Sequence, residues 1–558
     1  MTDTLNIALA QLNPVVGDIA GNVDRLRQTR AQAAEAGADL VVTSELVVCG
    51  YPPEDLVFRP IVNDTVQTEI EALAAETADG GPAILIGAPW REEGELYNAA
   101  LLLDGGEIAA VRFKHDLPNY GVFDEKRVFK AGPLPGPVNF RGVRLGVMVC
   151  EDMWTDEVAE CLEESGAEML VVLNGSPYQQ DKWDTRLNLA VARATECRMP
   201  LIYVNQVGGQ DELVFDGASF VLGADASLRV QLPAWEESIA HTHWTRGGDG
   251  WACADGDKSP PPDGDTAIYS AMVLGLKDYV EKSGFPGVII GMSGGIDSAL
   301  TAAVAVDALG SDRVHCVMMP SPYTSQESLD DAAEACRLLG VRLDSISIEP
   351  AMGAFEEMLA DAFAGTEADT TEENIQARSR GLALMALSNK TGSMVVSTGN
   401  KSEMSVGYAT LYGDMCGGYS VLKDVYKTKV FQLCHWRNEN RPEHVLGPDG
   451  PVVPENIIAK PPTAELKHDQ KDEDSLPPYD QLDAILEGLN EQDLSIDDVV
   501  AEGHDRELVL RVWRMLLGAE YKRRQAPLGV KITGRSFGRD RRYPIVNAFR
   551  GRENPSGA

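Results

Sequence analysis

The sequence predicts a two-domain α/β protein whose second domain is a doubly wound parallel sheet. Three observations carry this reading. The chain has 558 residues, well beyond the size at which single hydrophobic cores stop growing. Short apolar runs alternate with segments of helical period along much of its length. A strand, a glycine-rich turn and a buried helix follow one another across residues 287–305, a unit typical of parallel sheets.

In the first part, residues 6–10, 40–43, 83–87, 99–103, 145–149, 169–173 and 201–204 have the length and apolar content of buried strands, and 22–36 has helical spacing. Between 244 and 266 the composition turns to Gly, Pro and Asp, including Pro260-Pro261-Pro262-Asp263. These shifts predict a first domain at 4–245, a linker at 246–265 and a second domain at 266–558. The second part restarts with a helix at 267–283, then strands at 288–291, 314–319, 343–348 and 394–398 separated by helices. The Pro-rich and charged stretches 447–454 and 467–478 read as mobile loops.

Composition narrows the function class. Hydrophobic residues at 44% and charged residues at 24% are ordinary for a globular chain. No apolar run is long enough to span a bilayer. The first residues show no basic segment followed by an apolar stretch, so a cytoplasmic location is expected. A formal charge of -37 argues against nucleic acid as a partner, because phosphate contacts need clustered Lys and Arg. An anionic ligand therefore needs cations gathered locally, and Lys522, Arg523, Arg524, Lys531, Arg535, Arg539, Arg541 and Arg542 form one such cluster. The nine cysteines are scattered without a CxxC pair, which argues against a zinc ribbon or dithiol site and suits a reducing compartment.

Two regions carry chemistry. In Gly291-Met292-Ser293-Gly294-Gly295-Ile296-Asp297-Ser298, small residues let the backbone approach an anion, and N–H groups and a helix N-terminus point at it. No GxxxxGK[ST] occurs. In the first part, Glu45, Lys114 and Cys150 each end a predicted strand, where open α/β architectures gather functional groups. Alone, a cysteine is more often inert core and a Glu or Lys a solvated charge. Together they suit nucleophilic catalysis: a carboxylate takes the thiol proton, and an ammonium favours thiolate and the oxyanion that follows.

The flanking sequences add resemblances. The pattern SGGxDS at Ser293–Ser298 resembles the loop of the ATP-pyrophosphatase family, whose members split ATP between its α- and β-phosphates. Ser44-Glu45-Leu46, Phe113-Lys114-His115-Asp116-Leu117-Pro118-Asn119-Tyr120 and Val149-Cys150-Glu151-Asp152-Met153-Trp154 resemble glutamine-hydrolysing amidase domains of the nitrilase superfamily. This implies a nitrilase-like α-β-β-α sandwich for the first domain and an adenine nucleotide α-hydrolase-like sheet for the second. It also implies that Tyr120, Ser176 and Lys182 hold glutamine.

Further segments narrow the second resemblance. Glu373-Asn374-Ile375-Gln376-Ala377-Arg378 opens a helix on which Thr370 and Glu373 have capping-box spacing, and Asn374 and Arg378 share a face. With Ser397-Thr398-Gly399-Asn400-Lys401-Ser402-Glu403, Tyr412-Gly413-Asp414, Pro462-Thr463-Ala464-Glu465-Leu466 and Glu520-Tyr521-Lys522-Arg523, these resemble the NAD synthetase family in its two-domain, glutamine-dependent form.

The resemblance implies ATP-dependent amidation of deamido-NAD, with Mg2+ as cofactor, through an acyl-adenylate. It places Gly291, Met292, Ser293, Gly294, Gly295, Ile296, Asp297, Ser298 and Thr398 at ATP. Asn374, Glu403 and Lys522 fall at deamido-NAD, and Asp297 and Glu403 become candidate metal ligands. It implies a homo-oligomer with no membrane partner, and a channel that carries ammonia in its nucleophilic form. Other adenylating amidotransferases, a tRNA-thiolating enzyme and an inactive nucleotide sensor are disfavoured by the glutaminase type, the absent paired cysteines and the complete set of catalytic residues.

Overall fold

Alternating side chains build two sheets that pack face to face in the first part of the chain. The computed structural model describes residues 3–545 apart from 249, 468, 469 and 471. It divides into two units, Met1–Asp263 and Gly264–Ala558. The end of the predicted second domain, 546–558, lies outside the described residues.

The first unit opens with β1 (Thr4–Gln11), β2 (Leu40–Val42), β3 (Ala83–Glu92), β4 (Glu95–Asp104) and β5 (Glu107–Phe113) in one sheet. A second sheet takes β6 (Val138–Phe140), β7 (Val143–Val149), β8 (Met169–Asn174) and β9 (Leu201–Asn205). A hairpin of β10 (Val207–Gln210) and β11 (Leu213–Asp216) follows, and then β12 (Phe220–Leu222) and β13 (Leu228–Gln231) extend that second sheet. The chain returns to the first sheet as β14 (Ser238–Gly247) and β15 (Gly250–Cys253). The spatial orders are β15-β14-β1-β2-β3-β4-β5 and β13-β12-β9-β8-β7-β6.

The period of two along each strand divides the core. Ile7, Leu9 and Val42 pack between the sheets with Val147, Val149 and Val171. Ala8, Ala10, Val41 and Ile84 face outward against α1 (Ile19–Glu35) and α2 (Pro60–Glu76). After a short turn of helix, α3 (Glu125–Val128), come α4 (Glu157–Glu164) and α5 (Lys182–Cys197). They cover the far side through Leu162, Ala190 and Ala194 against Met148, Leu170 and Val172. This is the four-layer α-β-β-α arrangement.

The second unit is a five-stranded parallel sheet. Its strands are β16 (Val288–Gly291), β17 (Val314–Met318), β18 (Arg342–Ser345), β19 (Met394–Ser397) and β20 (Tyr419–Ser420), in the order β18-β17-β16-β19-β20. The order reverses beside β16, which opens a crevice at the strand's C-terminal end. The helices are α6 (Gly264–Lys282), α7 (Ile296–Leu309), α8 (Gln326–Leu339), α9 (Glu349–Leu359), α10 (Thr370–Thr391), α11 (Lys401–Val406) and α12 (Lys427–Glu439). Helix α7 is buried along nearly its whole length, from Ser298 to Leu309. No helix among the described residues is long and apolar enough to cross a membrane.

Three local expectations are corrected. The stretch 246–265 is not wholly a linker: β15 pairs with β14, Arg246 opposite Trp251. Trp251 and Cys253 alternate with exposed neighbours and bury into the core between the sheets. The capping box of α10 lies one residue earlier than predicted. Asp369, with extended backbone, accepts from Thr371 N–H at 2.7 Å, and Glu372 reaches back to the Asp369 N–H at 2.8 Å. The segment 447–454 is pinned: Arg437 binds Asp307 at 2.7 and 3.0 Å and donates to Pro448 O at 2.9 Å, while Val452 and Val453 are buried.

If the edge hairpin is part of the core, Trp251→Ala costs about 3–5 kcal/mol, the usual range for a buried aromatic. Urea unfolding followed by fluorescence measures it, and a value near zero returns residues 246–253 to linker status.

Candidate active sites

In the first unit, two strand ends of the seven-stranded sheet and a short helix deliver charge to one buried spot. Glu45 follows β2, Lys114 follows β5, and Glu125 opens α3. Lys114 Nζ lies 2.7 Å from Glu45 Oε1 and 2.9 Å from Glu125 Oε2, and all three side chains are almost wholly buried. Burial alone would lower the Lys114 ammonium, but Glu125 and Glu45 hold it well above its usual value. Burial pushes the Glu125 carboxyl up, against the pull of Lys114. Tyr51 Oη donates to Glu125 Oε1 at 2.8 Å, and Asn98 Nδ2 donates to Glu45 Oε1 at 2.7 Å.

Cys150 begins a 3-10 turn directly after β7, with a backbone φ of +47°. That left-handed conformation costs a non-glycine residue about 1–3 kcal/mol and needs support. Asp152 supplies it: one oxygen accepts the Val149 N–H at 2.9 Å, and the other accepts the His115 and Asp116 N–H groups, each at 2.9 Å. The Cys150 turn is thereby tied to the residues that follow Lys114. Burial pushes Asp152 up to about 6, opposed by these donors. Burial and then the Glu45 carboxylate push the Cys150 thiol well up, with Lys114 opposing. Both effects favour the thiol over the thiolate, so attack by the sulfur calls for a base.

The residues assigned to glutamine stand nearby. Tyr120 Oη donates to Glu151 at 3.1 Å, and its ring meets Phe123 edge-on at 5.5 Å. Lys182 opens α5 with its ammonium 5.6 Å from the Phe123 ring and 5.8 Å from that of Trp154. Ser176 is buried after β8; its N–H donates to Asn205 Oδ1 at 3.0 Å while its Oγ has no partner. Ser176 Oγ, Asn174 Oδ1, Asn98 Oδ1 and Glu45 Oε2 are buried without hydrogen-bond partners, an unmet polar demand that polar atoms of a small substrate could satisfy.

In the second unit the loop Gly291–Ser298 joins β16 to α7. Its own hydroxyls brace it: Ser293 N–H and Oγ meet Ser298 Oγ at 3.3 and 3.1 Å, and Gly295 N–H donates to Ser293 Oγ at 3.2 Å. Gly294 has a φ of +81°, and a Cβ there would stand 2.2 Å from the Ser328 carbonyl oxygen. Only glycine fits. The loop lines a cavity of about 260 Å³ with Met318, Met319, Leu384, Val396 and Thr398. An adjoining polar cavity of about 160 Å³ runs past Gly294 and Gly295 to Lys427, Lys460 and Asp472. The first suits a flat apolar-faced base, the second a chain of phosphates.

Asp297 and Glu403 both face Lys427. Asp297 bonds the Lys427 ammonium directly and accepts from Asn400 Nδ2 at 2.9 Å, and Glu403 Oε1 lies 3.6 Å from that ammonium. Burial and then Asp297 push Glu403 up to about 8, against Lys427. Acidic charge here exceeds what one ammonium balances. Among the described residues no three potential ligands converge. Two carboxylates, with room for waters and phosphate oxygens, fit a hard ion such as Mg2+.

Asn374 and Lys522 line neither cavity. They brace the segment after α11: Asn374 accepts from Thr410 Oγ1 at 2.9 Å, and Lys522 donates to the Gly407 and Ala409 carbonyls at 2.7 Å each. The basic cluster around 522–542 is likewise largely consumed inside the fold. Arg523 and Arg541 pair with Glu520, Lys531 with Asp540, and Arg535 with Asp493. The cations that border the cavities are instead Lys427, Lys460 and Arg380. Sequence reasoning missed them, along with Glu125 and Asn98. Lys427 lies outside every segment that marks the second domain, and Glu125 five beyond Tyr120, with nothing local to mark either.

Replacing Lys114 by Met leaves two buried carboxylates without a countercharge. Such a loss costs about 3–5 kcal/mol near neutral pH. The orphaned carboxyls then hold protons more tightly than in the unfolded chain, so the deficit grows as pH rises above about 4.3. Unfolding of Lys114→Met at pH 5 and pH 8 should show the smaller deficit at pH 5.

The carbon-nitrogen hydrolase family matches residues 6–247, and the NAD synthase family matches residues 268–526. A glutamine-dependent NAD(+) synthetase of Rhodobacter capsulatus is 51% identical over 99% of this chain and all of its own length. The structure of such a synthetase from Acinetobacter baumannii, in complex with ADP, is 44% identical, with a TM-score of 0.78 over 98% of this chain and 99% of its own. A synthetase from Cytophaga hutchinsonii, 21% identical with a TM-score of 0.81 over 98% of each chain, shares the fold.

Proposed function

Because the chain belongs to the family of glutamine-dependent NAD(+) synthetases, an ATP-using enzyme family with a glutaminase module, we propose a mechanism for its two half-reactions. The observation that carries it is Cys150 beside the buried Glu45–Lys114 pair, in one chain with the braced loop at Gly291–Ser298.

In the first unit Glu45 takes the thiol proton as the Cys150 sulfur attacks the side-chain amide carbon of glutamine. Lys114 stabilises the oxyanion. As the tetrahedral species collapses, the carbon–nitrogen bond breaks, Glu45 returns the proton to nitrogen, and ammonia leaves a thioester. Water then attacks, giving its proton to Glu45, and glutamate departs as the sulfur is reprotonated. Glu125 holds the Lys114 ammonium from its other side. Tyr120, Ser176 and Lys182 hold the substrate's polar ends.

In the second unit a carboxylate oxygen of deamido-NAD attacks the α-phosphorus of ATP, the α–β anhydride bond breaks, and pyrophosphate leaves. Ammonia attacks the resulting acyl-adenylate, expelling AMP and forming NAD. The adenine sits in the cavity bounded by Met319, Leu384 and Thr398, and the phosphates lie along Gly294, Gly295, Lys427 and Lys460. Asp297 and Glu403 would hold Mg2+, which neutralises charge building on the departing pyrophosphate. Asn374 and Lys522 shape the deamido-NAD side by holding residues 407–410. The nine free cysteines suit a cytoplasmic enzyme, and the family resemblance a homo-oligomer.

Purified protein with ATP, magnesium, deamido-NAD and either glutamine or an ammonium salt tests this reading. Cys150→Ala should lose glutamine-dependent NAD formation by about 10³-fold or more and keep the ammonium-dependent reaction. Loss of both would refute separable sites. Chelation with EDTA should abolish NAD formation from either nitrogen source and leave glutamine hydrolysis running.

A further inference from the structure

The catalytic carboxylate of the first unit is used on one side only. Glu45 Oε1 accepts two hydrogen bonds, from Lys114 Nζ at 2.7 Å and from Asn98 Nδ2 at 2.7 Å. Its Oε2 is buried with no hydrogen-bond partner. A terminal carboxylate torsion is broad and twofold, so a single donor would leave the two oxygens free to rock. Two donors on one oxygen hold the group in place.

Asn98 is suited to this. It is wholly buried in β4, between the chain that carries Glu45 and the one that carries Lys114. Its backbone carbonyl accepts the Lys114 N–H at 2.8 Å. Its orientation is not arbitrary: an ionised carboxylate only accepts, so the amide nitrogen must face Glu45.

The free oxygen points at chemistry. A Cβ placed on Gly175 would stand 2.8 Å from Glu45 Oε2. Strands β7 and β8 run parallel with Val149 opposite Leu173, so Cys150 leaves β7 beside the Asn174–Gly175 end of β8. The open carboxylate oxygen therefore faces Gly175 at the end of β8, beside which Cys150 leaves β7.

We propose that Asn98 is a positioning residue for glutamine hydrolysis: with Lys114 it occupies Glu45 Oε1 and so presents Oε2 as the single proton acceptor, turned toward Gly175 and the Cys150 thiol. The thiol proton passes to Oε2 as the sulfur–carbon bond forms, and from Oε2 to the leaving nitrogen. Both hydrogen bonds to Oε1 persist throughout. This assignment rests on the glutaminase reading above.

The test uses the full-length protein, glutamine as substrate, and kcat and KM measured from pH 5.5 to 9 for the wild type, Asn98→Ala and the near-isosteric Asn98→Asp. A carboxylate left to rock is misplaced by about an ångström, which costs about 10²-fold in rate. Asn98→Ala should therefore lose roughly 10- to 100-fold in kcat with little change in KM. Its acid limb in kcat/KM should move to higher pH, because ionised Glu45 has lost a donor. Asn98→Asp keeps the shape, removes the donor while ionised, and regains one when protonated. Its deficit relative to the wild type should narrow as pH falls.

Wild-type kcat and an unmoved acid limb in both variants would overturn the proposal, as would a loss carried wholly by KM. If Asn98→Ala fails to fold, the pH trend of Asn98→Asp decides alone: a deficit constant with pH refutes the positioning role. A wild type that does not hydrolyse glutamine, or a Cys150→Ala variant that still does, sinks the underlying glutaminase reading instead.

Discussion

Burying an ammonium between two carboxylates is the constraint on which the first unit is organised. Each ion gives up hydration worth several kcal/mol, and only close, well-aligned partners restore it. Lys114, Glu45 and Glu125 come from different elements, so their mutual distances of 2.7 and 2.9 Å demand that strand ends and a short helix be held in register. The sandwich provides this, because its two inner faces interlock through Ile7, Leu9, Val147 and Val149. Asp152 then carries the same demand to Cys150, tying its strained turn to residues 115 and 116.

The second unit meets a related problem with different parts. Its loop is built largely from small residues, stiffened by its own serines, as the proposed close approach of a phosphate requires. Behind it, Ser402 accepts the Lys427 N–H at 2.8 Å and donates to Asp483, which also takes the Thr428 N–H at 2.9 Å. The start of α12, with Lys427 on it, is thereby locked to α11, which bears Glu403. Lys401 is buried against Asp424 and Glu491, fastening the other side of α11 to the C-terminal segment.

Much of this was legible in the sequence, and the reasons for the rest are physical. Strand runs such as 145–149 and 169–173 declare themselves because both faces are buried and every residue is apolar. β14 does not: its burial alternates, and polar side chains such as His241 and His243 interrupt the run. Glu45, Lys114 and Cys150 are visible because flanking residues mark strand ends. Glu125, Asn98 and Lys427 are not, because their meaning lies in what they meet across 74, 53 or 130 positions of chain. The basic stretch after 522 misleads for the same reason: composition shows eight cations but not the acids and carbonyls that absorb them.

That absorption has a consequence for kinetics. A chain of formal charge -37 that spends most of its terminal cations on internal partners surrounds itself with a repulsive field. In the proposed reaction, triphosphate and dinucleotide would be caught against that field by the few positive groups that line the cavities, Lys427, Lys460 and Arg380. Counterions thin the repulsion over about 10 Å at 0.1 M, so moderate salt, which slows most enzymes that attract anions, should quicken the first encounter here.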